Sequence, residues 1–128
     1  MINLKKLSTV LACTAALYAG NSLAANHDLS TNLSAGYDLP TNELQTFNAS
    51  VFHTTHLNCK VRTAGGQAND VTVLALKKRV IVNGTILSEG VNASLVLRAG
   101  DNVTFELDAR GKLGLTNNSD SLVNLYCR

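Results

Sequence analysis

The run Val80-Ile81-Val82-Asn83-Gly84-Thr85-Ile86-Leu87 decides the fold. Two β-branched runs flank Asn-Gly, a pair whose residues both tolerate positive φ. That is the chemistry of a two-residue hairpin turn between antiparallel strands. Working outward, Val103, Phe105, Leu107 and Ala109 alternate with Thr104, Glu106, Asp108 and Arg110, and Thr55, Leu57, Cys59 and Val61 alternate with His56, Asn58, Lys60 and Arg62. A period of two sends one set into a core and the other to water. Val71–Leu76, Leu95–Leu97, Leu113–Thr116 and Val123–Cys127 complete the set, separated by turn residues such as Gly65-Gly66, Ser88-Glu89-Gly90 and Asn117-Asn118-Ser119-Asp120. Between Val123 and Cys127, Val123, Leu125 and Cys127 are expected to face in and Asn124 and Tyr126 out.

Seven to eight short strands without an intervening helix predict an all-β domain, a small antiparallel β-sandwich, with a small β-barrel as the alternative. The Cys-to-Cys architecture resembles immunoglobulin-like modules in outline. Their core tryptophan is missing, because the chain has no Trp at all, and no function is carried over.

The amino terminus reads as an address. Lys5 and Lys6 precede an uncharged, mostly apolar stretch from Leu7 to Gly20, and Ser22 and Ala24 suit a signal peptidase. Residues 1–24 therefore read as a signal peptide cleaved after Ala24, and the short charged segment fits a bacterial exporter. The apolar run is too short for a permanent membrane span. Val10-Leu11-Ala12-Cys13 has the look of a lipoprotein box, but few apolar residues precede Cys13 and the apolar stretch continues past it, which argues against a lipid anchor there. The expected location is secreted or periplasmic.

Of 11 Lys plus Arg, the signal removes Lys5 and Lys6, and it removes none of the 9 Asp plus Glu. The processed chain is formally neutral, which with the absence of any recognition motif excludes nucleic acid as a partner. Cys59 and Cys127 survive processing and should pair in an oxidising compartment. Residues 25–46, rich in Asn, Ser and Thr and holding the single Pro40, read as a flexible polar leader, and residues 47–128 as the β-sandwich domain.

Candidate chemistry is sparse. His53 and His56 are three apart, so a regular strand points them to opposite faces. If the mature chain starts at Ala25, then Ala25-Asn26-His27 offers an amine, two amides and an imidazole in the arrangement that suits Cu(II) or Ni(II). His27, His53 and His56 are thus the metal candidates, with no cofactor expected. Glu106 and Asp108 share a strand face and are the only carboxylate pair placed for hydrolysis or weak cation binding. Lys77-Lys78-Arg79 is the one charge cluster; it fits an acidic partner or anionic head groups, or simply blunts a strand end. Tyr126 is an outward contact residue, and Tyr126 and Tyr37 offer rings for stacking on a sugar. Asn48, Asn83, Asn92, Asn102 and Asn117 each stand in Asn-x-Ser/Thr, acceptor sites only in a eukaryotic secretory route. The reading is a non-enzymatic exported binding or interaction module that meets a protein or surface partner. The alternatives are a structural or assembly subunit, whose leader could be donated as a strand, and a small hydrolase or metal-dependent enzyme.

Overall fold

The computed structural model describes residues 24–29 and 35–128. The stretch read as a signal peptide, up to Leu23 and including Cys13, lies outside the described residues. Among the described residues eleven strands form two sheets: β1 (Ala24–Asp28), β2 (Ala35–Leu39), β3 (Leu44–Asn48), β4 (Thr55–Thr63), β5 (Asn69–Lys77), β6 (Val80–Val82), β7 (Thr85–Leu87), β8 (Asn92–Leu97), β9 (Asn102–Leu107), β10 (Lys112–Asn117) and β11 (Val123–Cys127). The five-stranded sheet has the order β8-β5-β10-β3-β1, and the six-stranded sheet β2-β11-β4-β9-β6-β7.

Alternation in sequence became alternation in burial. On β4 Cys59 and Val61 are buried while His56, Asn58, Lys60 and Arg62 are exposed, and on β9 Val103, Phe105 and Leu107 are buried. Asn83 and Gly84 have φ of 47° and 84°, and Val82 pairs with Thr85, which is the two-residue turn the sequence predicts. The core between the sheets is aliphatic, with Val71, Val73, Leu113 and Leu115 from one sheet against Val61, Val103, Leu107 and Leu125 from the other.

Three expectations need correction. The strand count exceeds seven to eight because β1, β2 and β3 arise from the stretch read as a polar leader, and β3 straddles the boundary drawn at residue 47. Polar residues go inside there because they satisfy one another: Gln45 is 4% exposed, and its Oε1 lies 3.0 Å from His27 Nε2. The pairing is also not wholly antiparallel, since β1 runs parallel to β3. Finally, the immunoglobulin outline differs at the sulfurs. Cys59 and Cys127 are bonded, with Cα atoms 4.0 Å apart, but they face each other on neighbouring strands β4 and β11 of one sheet. Asn58 and Arg128 exchange both backbone hydrogen bonds beside them, which makes Cys59–Cys127 the closer, non-hydrogen-bonded pair that a disulfide can span. In immunoglobulin domains the corresponding bridge joins the two sheets.

An aromatic plug closes the lateral edge where β1 and β2 meet. The His27 ring stacks on Phe47 at 4.8 Å, and Tyr37 from the opposite sheet meets both rings edge-on at 5.1 and 5.2 Å. Burial raises the Tyr37 pKa. The folded-state pKa therefore exceeds the unfolded value. The resulting stability is fully present below the ordinary tyrosine pKa and is lost as pH rises through the folded value. Alkaline titration followed by phenolate absorbance should show one tyrosine ionising above the usual range, and Tyr37→Phe should remove that step and blunt the alkaline loss of stability.

Candidate functional site

The candidate residues fall on three separate surfaces. His27 points into the sandwich from β1, His53 stands on the exposed loop after β3, and His56 faces water from β4. The three histidines are therefore not brought together, and among the described residues no group of three or more His, Cys, Asp or Glu side chains could hold a metal. Copper capture by Ala25-Asn26-His27 would require β1 to unpair from β3 and the ring to leave Gln45 and Phe47. The carboxylate pair is also divided. Glu106 lies 3.5 Å from His56, its cross-strand partner, and Asp108 turns away to Arg79 at 3.2 Å. The His56–Glu106 contact is solvated, with His56 71% exposed, so it contributes little to stability.

The outer face of the six-stranded sheet carries two open depressions. His56, Leu57, Asn58, Thr104, Glu106 and Arg128 line an open depression of about 390 Å³, walled by Ile81 and Gly84 of the β6–β7 hairpin. A second, of about 370 Å³, is lined by Asn58, Lys60, Asn102, Tyr126 and Arg128. The two adjoin through Asn58 and Arg128. Strand register explains the convergence: Tyr126 pairs with Lys60, and Asn102 pairs with Lys60 from the other side. The Arg62 guanidinium lies over one face of the Tyr126 ring, 4.9 Å from its centroid, and its Nε donates to Asn124 Oδ1 at 3.1 Å. Sequence reading found Tyr126 here but missed Asn58, Asn102 and Arg128, which only the β4–β9 and β4–β11 registers place side by side.

Lys77-Lys78-Arg79 lies elsewhere, at the end of the sandwich where the chain crosses from β5 to β6. Lys78 takes a φ of 59°, and its amide donates to Glu89 Oε1 at 2.5 Å. A bulge between β5 and β10 leaves Leu76 without a partner and sets Lys77 opposite Lys112. The same end carries the β9–β10 turn with Arg110 and the β3–β4 loop with Val51 and Phe52. The Asn-x-Ser/Thr asparagines are not uniformly available: Asn117 is fully buried, Asn83 Oδ1 accepts from the Thr104 amide at 2.9 Å, and Asn48 Nδ2 donates to Asn26 Oδ1 at 2.9 Å.

The described residues thus offer open depressions and no metal-holding group, and none of their helices is long and apolar enough to cross a membrane. No family model and no curated protein matches the chain in sequence. Among solved structures it is similar to the pre-peptidase C-terminal domain of collagenase from Bacillus anthracis, at 14% identity and a TM-score of 0.38 over 86% of this chain and 99% of that one. At that score nothing is carried across from it.

Proposed function

We propose that the protein is a non-enzymatic binding module, exported to the periplasm or beyond, whose ligand lies along the outer face of the six-stranded sheet. The observation that carries this is the pair of adjoining depressions sharing Asn58 and Arg128. Their lining offers amide, hydroxyl, ammonium and guanidinium groups beside one phenol ring, a set that suits an extended, hydroxyl-rich ligand such as a glycan chain. Such groups give orientation and specificity through hydrogen bonds, and the ring supplies the apolar contact. A cross-strand disulfide within this same sheet joins β4 to β11 beneath the lining.

The test is an NMR titration of the isotope-labelled protein with an oligogalacturonate and with a neutral maltooligosaccharide. Shifts should concentrate at Asn58, Lys60, Asn102, Tyr126 and Arg128, and Tyr126→Ala should weaken the response by about tenfold, the scale of a contact hot spot. Shifts confined to other surfaces, or none with either sugar, would remove this face as the binding site.

A second reading, an assembly subunit, is favoured by one observation. β1 is an edge strand that adds in parallel beside β3, the position a donated strand would take in a neighbour. A mass in solution that stays monomeric across concentration would dismiss it.

A further inference from the structure

We infer that the end of the sandwich bearing Phe52 is a docking surface for an anionic lipid membrane. This does not depend on the glycan face, which lies on the flank of the domain.

Phe52 is 80% exposed and Val51 53% exposed, side by side at the tip of the β3–β4 loop. Their exposure is built into the turn. Ser50 anchors it: its carbonyl accepts from the Arg110 amide at 2.8 Å, its amide donates to Thr55 Oγ1 at 3.1 Å, and its hydroxyl oxygen accepts from the Phe52 amide at 3.1 Å. The Ala49 amide donates to Gly111 O at 2.9 Å behind them. Beside this wedge, Val51 shares a depression of about 350 Å³ with Lys77, Arg110 and Lys112. Two apolar side chains held outward against a collar of cations match the two layers of an anionic bilayer surface, hydrocarbon below and phosphate above. A soluble polyanion would use the cations and leave Phe52 in water.

The charges divide unevenly between the two ends of the domain. Asp108 at this end is held by Arg79, and Glu89 accepts from the Lys78 amide; Asp28 also lies here, at the end of β1. Glu43, Asp70, Asp101 and Asp120 gather at the opposite end with Arg98. The nine-residue strands β4 and β5 set the two ends about 30 Å apart, several times the screening length of about 8 Å in physiological salt. A neutral domain is therefore polarised, with its basic, apolar-tipped end free to meet a negative surface.

The chain lacks tryptophan, so Phe52→Trp installs a single reporter at the tip. On vesicles of phosphatidylglycerol mixed into phosphatidylcholine its emission should shift to the blue, and on pure phosphatidylcholine it should not. Phe52→Ser in the same chain should lower vesicle co-sedimentation by about tenfold, the scale of one lost aromatic burial, and cancels any contribution from residues 1–23. Combined Lys77→Gln, Arg110→Gln and Lys112→Gln should lower it on the order of a hundredfold, with added salt reproducing the loss. No binding to the anionic vesicles, binding that Phe52→Ser leaves intact, or equal binding to a soluble acidic polysaccharide without a blue shift would each overturn the inference. None of these results bears on the neutral maltooligosaccharide arm of the sugar titration, nor on shifts at Tyr126 and Asn102.

Discussion

Asn117→Asp is expected to destabilise the protein by about 4 kcal/mol at neutral pH, although it changes a single amide to a carboxylate of the same shape. Asn117 is fully buried. Its Nδ2 donates to Leu39 O at 2.8 Å and Ser121 O at 2.7 Å, and its Oδ1 accepts from the Ser119 amide at 2.9 Å and the Ser119 hydroxyl at 2.6 Å. One side chain therefore ties β10 of the five-stranded sheet to the end of β2 in the other sheet and folds the turn into β11. Aspartate keeps the two acceptor bonds but loses both donors and aims negative charge at two carbonyl oxygens. Burial and those carbonyls disfavour the charged form, so the folded-state pKa of the new acid lies above its unfolded value. Its deficit should be smallest below the unfolded carboxyl range, where a protonated acid donates one bond again, and should open as pH rises through the folded pKa. Denaturant unfolding at acid and neutral pH, beside the parent, measures both points. A deficit independent of pH would mean that the amide donors are not what the site needs.

Asn117 also marks where sequence reading of the fold ran out. The eight strands from β4 onward were legible because Val, Leu and Ile carried the inward positions, as in Thr55–Val61 and Val103–Leu107. The strands before them were not, since their inward positions include His27, Gln45 and Tyr37, which hydropathy counts as solvent residues. What allows them inside is pairwise: His27 meets Gln45, and Tyr37 packs its ring on Phe47. A polar residue's partner eighteen positions away leaves no periodic trace in the sequence. The parallel β1–β3 pairing is equally silent, because no turn motif announces it.

The candidate surfaces were legible to a lesser degree. Lys77-Lys78-Arg79 stood out as a contiguous run, but Arg110 and Lys112 joined it only through the β5–β10 register, and Val51 and Phe52 through the hydrogen bonds of Ser50. Formal neutrality hid the polarity of the domain, since a charge count has no direction. In the other sense, Glu106 and Asp108 looked like a pair at i and i+2 and were parted by the end of β9, where the strand stops at Leu107 and Asp108 enters the turn that Arg79 braces.

Removing the disulfide with Cys59→Ala and Cys127→Ala should lower stability by roughly 4 kcal/mol while leaving the β signature intact. The bridge closes a sequence separation of 68, and in the chain-entropy account the loss comes from the freed unfolded state. The position inside one sheet sharpens this expectation. Cys59 and Cys127 are held opposite each other by the hydrogen bonds of Asn58 and Arg128, so the folded register survives without the sulfurs. The small vacancy left in the core adds a cavity cost that Cys59→Val with Cys127→Ala should partly recover. Both sulfurs are buried, Cys59 fully and Cys127 to 2% exposure, so a reductant should act on the native protein only as fast as the β4–β11 pairing opens. Urea midpoints of the parent, reduced and alanine proteins, with hydrogen exchange at Asn58 and Arg128, separate the two parts of the argument. Equal stability of the reduced and oxidised forms would show that the unfolded chain gains nothing from release. Loss of exchange protection at Asn58 in the alanine protein would show instead that the sulfurs hold the register, and the proposed binding face with it.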